Sequence, residues 1–272
     1  MKRAELVSIG LALVLLISFI ASFFLSADSN TKFWALATNI GDERFYIFLA
    51  VVAFFFYPTI GILVLATILF NGMINFFIKW YFNIPRPPNP KILETGPSFP
   101  SNHAQSSGAF WTVLNFKYRS RYLILLGTIY TVFICYSRLA LNVHYPMDVI
   151  AGSIIGLLVA MALFSVSSKM RNSVLLYESI LLITFTLSLI GYFIYSDTDF
   201  ARTSFFALGF GIFYPLIKDN QKNLKITAIA FIVWLIVALP LLALNTLSLY
   251  IQYLLLGLSA PLVKYVVYRL SK

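Results

Sequence analysis

The chain has 272 residues, of which 60% are hydrophobic and 11% charged, whereas soluble domains average roughly 45–50% apolar and about 25% charged residues. This composition, with a mean hydropathy of +0.86, excludes a soluble globular enzyme and predicts an all-α polytopic membrane protein. The net charge of +10 then records membrane orientation and not nucleic-acid binding. Cys135, the single cysteine, cannot form an internal disulfide.

Apolar stretches along the chain predict ten membrane spans. The first, 6–25, exceeds the apolar region of about 7–15 residues in a signal peptide, so we expect a retained helix. Residues 45–82 are long enough for two spans, with a turn at Pro58 and Gly61. The other spans are predicted at 101–115, 122–141, 145–166, 173–195, 204–217, 226–244 and 247–268. The short stretches 45–57 and 204–217 could instead tilt, re-enter or lie at the interface, which would leave eight.

Basic residues in the loops predict the orientation through the positive-inside rule. A cytoplasmic N-terminus places 13 of the 20 basic residues in cytoplasmic segments: Lys2, Arg3, Lys117, Arg119, Arg121, Lys169, Arg171, Lys218, Lys222, Lys225, Lys264, Arg269 and Lys272. Both termini are therefore predicted to be cytoplasmic. Among the seven outer exceptions, three lie at span ends, namely Lys79, Arg86 and Arg138. A lone cation there usually snorkels to the headgroups.

Polar residues beside these three cations indicate a binding site instead. They occur in three short segments, KWYFNIPRP (79–87), FPSNH (99–103) and SRLALNVHYPMD (137–148). Two predicted spans separate the second segment from the third, so their polar ends should reach the same membrane face. Three cations without a carboxylate cluster favour an anion over a divalent metal, and the planar Arg fork fits phosphate oxygens. No Mg²⁺ or other cofactor is then required.

Ser101 follows Pro100 and precedes a helical apolar run, which is typical of a helix N-cap. The backbone amides of Asn102 and His103 would lie in the first turn, where a helix N-terminus binds phosphate oxygens. An ordinary cap without a ligand is the alternative for Ser101.

His144 and Asp148 are four positions apart, so on a helix they share a face. A carboxylate there can hold one imidazole nitrogen protonated and leave the other free to attack. Pro146 suits the first turn of a helix, which places His144 at the entrance of a span. His103, on another helix, could protonate the departing oxygen and deprotonate water. The pattern predicts a nucleophile, an orienting carboxylate and an acid.

The motifs KxxxxxxRP, PSxH and SRxxxxxHxxxD together resemble the three signatures of the type 2 phosphatidic acid phosphatase family, over about residues 60–166. The resemblance implies a six-helix membrane core and metal-independent hydrolysis of a phosphomonoester or pyrophosphate through a phosphohistidine at His144. It also implies that Lys79, Arg86, Ser101 and Arg138 bind phosphate. Asn102 departs from the usual glycine, and we expect Asn to tolerate a positive φ there. The segment ETGPSFPSNH (94–103) is also similar to the glucose-6-phosphatase branch.

We therefore expect a phosphatase core at 1–168 and an extension of about four spans at 169–272. The predicted substrate is a polyprenyl pyrophosphate, then phosphatidic acid or a related phospholipid phosphate, then a sugar phosphate. The site should open on the extracytoplasmic side of the cell membrane, with the lipid substrate and the bilayer as partners and no nucleic acid. A non-catalytic protein that binds or transports lipid phosphate is the alternative from another class.

Overall fold

A computed structural model describes residues 3–170, 173–217, 223–244 and 247–271 of the chain. Within those ranges the regular structure is helical, as the composition predicts. The helices are α1 (Arg3–Ser22), α2 (Ala27–Ala37), α3 (Glu43–Phe56), α4 (Pro58–Phe82), α5 (Asn102–Tyr118), α6 (Arg121–Ala140), α7 (Pro146–Lys169), α8 (Ser173–Tyr195), α9 (Thr198–Phe213), α10 (Leu224–Ala243) and α11 (Leu249–Leu270). Short 3₁₀ turns cover Thr38–Gly41 and Tyr214–Leu216.

Each of the ten predicted apolar stretches contains a helix, but only seven helices in the described ranges are long and apolar enough to cross a membrane. The three below that length are α3, α5 and α9, with 14, 17 and 16 residues. Seven of the ten predicted spans are therefore full-length candidates, and spans at α3, α5 and α9 stay predictions, because a helix of 14–17 residues lies at or below the minimum of about 17 residues for a span. Helix α2 was not predicted, since its sequence ADSNTKFWALA is short and partly polar.

The chain divides into two compact units, residues 1–46 with 77–166 and residues 47–76 with 167–272. The division at 166 lies close to the predicted boundary at 168, but residues 47–76 group with the C-terminal segment. A core that takes all of residues 1–168, and its division into six and four helices, stays a prediction. We call the two parts the first unit and the second unit.

Helices α5 and α7 of the first unit approach backbone to backbone. A Cβ atom on Gly156 would lie 2.0 Å from the carbonyl oxygen of Gln105, and one on Gly152 would lie 2.6 Å from that of Ser101. Small residues four apart permit such close packing between apolar helices. The same contact joins Ser101 N–H to the Asp148 carbonyl at 3.0 Å. Glycine spacing on α7 therefore holds the second polar segment against the third.

A buried aromatic cluster holds α2 and the following 3₁₀ turn against α6. Trp34 is fully buried, with ring centroids 5.0 Å from Phe133 and 5.1 Å from Tyr136. Tyr130 Oη donates to the carbonyl of Ile40 at 2.8 Å. These contacts fix residues 38–43 beside the end of α6, near Arg138.

The second unit contains the break between α3 and α4. α3 ends at Phe56 and α4 begins at Pro58, which confirms the predicted turn. Lys264 of α11 is buried and donates to the carbonyls of Phe54 and Phe55 at 2.8 and 2.9 Å. Its ammonium group thus satisfies carbonyls that the end of α3 leaves without helical partners.

Five of the basic residues used to predict orientation lie outside the described residues. They are Lys2, Arg171, Lys218, Lys222 and Lys272. The orientation therefore rests on the sequence.

Candidate active site

The predicted site residues all belong to the first unit. Four helix ends and two loops supply them: the end of α4, the start of α5, the end of α6, the start of α7, and the loops 83–101 and 141–145. Parity along the chain predicted this gathering, and hydrogen bonds connect most of its members. Their catalytic and binding roles remain predictions.

His144 lies in the loop just before α7, which begins at Pro146 as predicted. Its Nδ1 is 3.2 Å from Asp148 Oδ2, and the same oxygen accepts the backbone N–H of Tyr145 at 2.8 Å. Because a carboxylate only accepts, we assign the imidazole hydrogen to Nδ1. Nε2 then carries the lone pair and has no hydrogen. The pairing is as expected, although the histidine precedes the helix and does not lie on it.

The surroundings of His144 keep its imidazole neutral. Burial and the positive charges of Lys79, Arg138 and Arg86 together lower its pKa to about 3, although the hydrogen bond with Asp148 acts to raise the pKa. A neutral imidazole with Nδ1 protonated is the form in which Nε2 can act as a nucleophile.

Arg86 connects the loop 83–101 to His144. Its Nη1 lies 3.2 Å from His144 Nε2 and donates to the Val143 carbonyl at 3.0 Å. Its Nη2 and Nε donate to the carbonyls of Thr95 and Gly96 at 3.0 and 3.1 Å. A phosphate oxygen bound to this guanidinium would bring its phosphorus next to Nε2.

Arg138 is the most buried of the three cations, with a side chain 1% exposed. Nη1 donates to Thr38 Oγ1 at 3.0 Å and lies 3.5 Å from His103 Nε2, while Nη2 donates to Glu94. Its buried Nε has no hydrogen-bond partner. A buried donor without an acceptor is costly unless something binds there.

Ser101 is the N-cap residue of α5, as predicted, but its side chain makes no capping bond. Its Oγ is buried and has no partner. Ser101 Oγ and Arg138 Nε are therefore two buried polar atoms available to an anion at the start of α5.

Asn102 is the first residue of α5, and its φ is not positive. The expectation that Asn was accommodated by tolerance of positive φ is therefore wrong. Its side chain instead donates to Glu43 Oε2 at 2.8 Å and accepts from Ser106 Oγ at 3.3 Å. Its backbone amide remains for the predicted phosphate contact.

Lys79, at the end of α4, binds the loop that follows it. Its Nζ donates to the carbonyls of Pro97 and Ser98 at 2.6 and 3.3 Å. Two of the predicted phosphate ligands, Lys79 and Arg86, thus shape the loop that leads to Ser101.

Three further residues contact the site and were not predicted: Thr38, Glu43 and Glu94. Glu94 is the first residue of the segment ETGPSFPSNH, and its place in that segment was the only signal in the sequence that could have indicated it. Thr38 and Glu43 lie about 60–100 positions from their partners along the chain, and no sequence spacing connects them. In the described part of the chain, no group of three or more His, Cys, Asp or Glu residues could hold a metal ion.

Comparison with known proteins agrees with the motifs. Residues 59–171 match the model of the PAP2 superfamily. The match confirms the resemblance for this segment of the chain. With seven helices able to cross a membrane, the chain is an integral membrane protein.

Two curated relatives match parts of the chain. An undecaprenyl-diphosphatase of Sulfolobus acidocaldarius is 37% identical over 84 residues, which cover 30% of this chain and 36% of that protein. Human glucose-6-phosphatase 2 is 29% identical over 164 residues, 46% of each chain. The chain thus spans less than half the length of either relative.

A solved structure of a PAP2-type phosphatidylglycerolphosphate phosphatase from Bacillus subtilis is also similar. It is 24% identical, with a TM-score of 0.47, and the match covers 61% of this chain and 95% of that one.

Proposed function

We propose that the protein is a metal-independent membrane phosphatase that hydrolyses lipid phosphates through a phosphohistidine at His144. The observation that carries the proposal is the contact of Nε2 with Arg86 at 3.2 Å while Nδ1 is held by Asp148 at 3.2 Å. A protein that only bound phosphate would need the cations but neither an oriented imidazole nor a second histidine.

Phosphoryl transfer would proceed in two displacements. Nε2 of His144 attacks phosphorus, the bond to the leaving oxygen breaks, and His103 gives that oxygen a proton. Water then attacks the phosphohistidine while His103 takes the proton from it. The P–N bond breaks, inorganic phosphate leaves, and both histidines return to their initial states.

Positive charge would stabilise the transferring group in place of a metal ion. Arg86 and Arg138 offer planar forks, Lys79 offers a third positive charge, and the start of α5 offers backbone amides with Ser101 Oγ. Such donors act on charge that develops in the transition state. His103 lies beside the Arg138 fork, which suits a proton donor to an oxygen bound there.

A polyprenyl pyrophosphate is the first-ranked substrate and a phospholipid phosphate the second. The support is a site at the ends of apolar helices, where the phosphate of an acyl or prenyl lipid would lie, together with the similarity to an undecaprenyl-diphosphatase. A sugar phosphate is a separate candidate, favoured by the match to glucose-6-phosphatase 2 and by the carboxylates of Glu43 and Glu94, which could accept hydroxyl hydrogens.

Phosphate release by the detergent-purified protein tests this function. The panel contains a polyprenyl diphosphate, phosphatidic acid and glucose 6-phosphate, each assayed with EDTA and with added Mg²⁺, and the control is the variant His144→Asn. We expect EDTA-resistant turnover of at least one lipid, inhibition by vanadate and no turnover by the variant. Loss of activity in EDTA with recovery in Mg²⁺, or full activity of the variant, would contradict the mechanism.

An extracytoplasmic site is the matching proposal for orientation, and the asymmetry of basic residues supports it. Leu93 is 94% exposed in the loop 83–101, and Lys117 is exposed at the end of α5. With Cys135 replaced by Ala, Leu93→Cys should react with an impermeant maleimide in intact cells, and Lys117→Cys only after permeabilisation. The reverse pattern would place the site in the cytoplasm.

A further inference from the structure

The carboxylate of Glu94 lies between two of the predicted phosphate-binding cations. Its Oε1 accepts from Arg138 Nη2, and its Oε2 is 3.7 Å from Arg86 Nη2. The two oxygens are thus divided between two guanidinium groups. This is the arrangement that two oxygens of a bound phosphoryl group would adopt.

Backbone contacts directly after Glu94 hold this part of the loop against Arg86. The following carbonyls, those of Thr95 and Gly96, accept from Arg86 at 3.0 and 3.1 Å. Glu94 itself is 25% exposed, whereas the Arg138 side chain is 1% exposed. The carboxylate therefore closes the solvent side of a buried cation, and its rotation outward would uncover that cation.

Charge balance defines what Glu94 does to an incoming anion. Lys79, Arg86 and Arg138 contribute three positive charges, and Glu94 and Asp148 two negative ones, so these five groups together carry +1 before Glu43 and the histidines are counted. Without Glu94 the other four groups would carry +2, which favours a phosphate dianion more strongly. Asp148 is held by His144 and Tyr145, so Glu94 is the carboxylate that can move.

We propose that Glu94 is an internal counter-ion of Arg86 and Arg138. The phosphoryl group of the substrate displaces its carboxylate from the two guanidinium groups, and the carboxylate binds them again as inorganic phosphate leaves. This counter-ion role rests on the proposed function for the identity of the ligand. Glu94 would then weaken the binding of product phosphate and keep the buried arginines paired between turnovers. Its role is to adjust affinity, and it takes no part in bond formation.

The test is the affinity of the detergent-purified protein for inorganic phosphate, measured by calorimetry, which requires no turnover. Glu94→Gln keeps the shape of the side chain and removes its charge, so the dissociation constant should fall about tenfold, or about 1.4 kcal/mol. The matched control is Asp28→Asn, a carboxylate 76% exposed that pairs with Lys32 on α2. The control should bind phosphate like the wild type.

Equal or weaker phosphate binding by Glu94→Gln would overturn the proposal, because the residue would then support the loop or bind substrate. If that variant does not fold, Glu94→Asp decides: it is one methylene too short to bridge both arginines, and it too should bind phosphate more tightly than the wild type. Unchanged or weaker binding by Glu94→Asp would refute the counter-ion.

The proposed function can fail independently. Tighter phosphate binding in Glu94→Gln without turnover of any substrate in the panel would sustain the counter-ion and reject the phosphatase. Normal lipid turnover by the wild type, without tighter phosphate binding by Glu94→Gln, would sustain the phosphatase and reject the counter-ion.

Discussion

Asp148→Asn isolates the charge that orients the nucleophile. In the wild type, Oδ2 accepts from His144 Nδ1 at 3.2 Å and from the backbone N–H of Tyr145 at 2.8 Å. The amide oxygen of Asn can accept both hydrogens, so the variant keeps the tautomer and the loop. What it loses is the negative charge beside an imidazole that becomes positive during phosphoryl transfer.

The size of the effect follows from these two hydrogen bonds. A bond to a charged group contributes about 1.5–3 kcal/mol and a neutral one about 0.5–1.5. Only the bond to His144 faces a charge that develops in the transition state, so Asp148→Asn should cost about 1–1.5 kcal/mol, or about 5–10-fold in kcat. Asp148→Ala also leaves two buried N–H groups without an acceptor, at about 1–3 kcal/mol more. Its kcat should therefore fall by about 10²–10³-fold.

Initial rates at saturating substrate measure the two losses, with Asp28→Asn as the control for a removed carboxylate. Circular dichroism and melting in detergent show whether each variant is folded. Asp148→Asn as active as the wild type would refute the role of the charge, and Asp148→Ala no worse than Asp148→Asn would refute the role of the two hydrogen bonds.

Three other measurements probe separate parts of the structure. Burial and the neighbouring cations lower the pKa of His144 to about 3 from 6.5, so its imidazole stays neutral as the pH falls through 6.5. The acid limb of kcat/KM, corrected for substrate ionisation, should therefore lie below pH 6.5. An acid limb at pH 6.5 or above would contradict this pKa. Gly156→Ala places a Cβ atom 2.0 Å from the carbonyl oxygen of Gln105, so it should separate α5 from α7. The variant should have a lower melting temperature and a lower kcat. Wild-type values for both would refute that packing. Lys264→Met leaves carbonyls at the end of α3 without the lysine donor. It should therefore lower the melting temperature by more than the control Lys225→Met, a change at an exposed position. Equal melting temperatures for the two variants would refute the role of Lys264 as a cap of α3.

The helices were predictable from apolar runs because lipid requires every backbone group in a span to be satisfied internally. The break at Pro58 followed from its missing N–H and fixed φ. Hydropathy could not detect α2, because the first half of this short helix is polar. The buried Trp34 in its second half anchors it. Nor could it identify Gly152 and Gly156 as contact points, since close approach depends on the facing helix.

The site was predictable to the extent that its residues occur in compact motifs at span ends. The pairing of His144 with Asp148 follows from their spacing of four residues. The number of spans between the motifs predicts that the polar segments lie at the same membrane face. Glu94 and Thr38 were missed because loop geometry alone brings them to Arg138. Asn102 was misjudged because its environment, a hydrogen bond to a carboxylate 59 positions away, is a tertiary contact.

A covalent phosphoryl group on His144 is the central claim, and an alkaline quench during turnover tests it most directly, because phosphohistidine survives alkali and is lost in acid. Peptide mass spectrometry of the quenched protein should find one phosphate on His144 in the wild type and none in His144→Asn. Rapid wild-type turnover with no modified histidine, or a phosphate on any other residue, would contradict the mechanism.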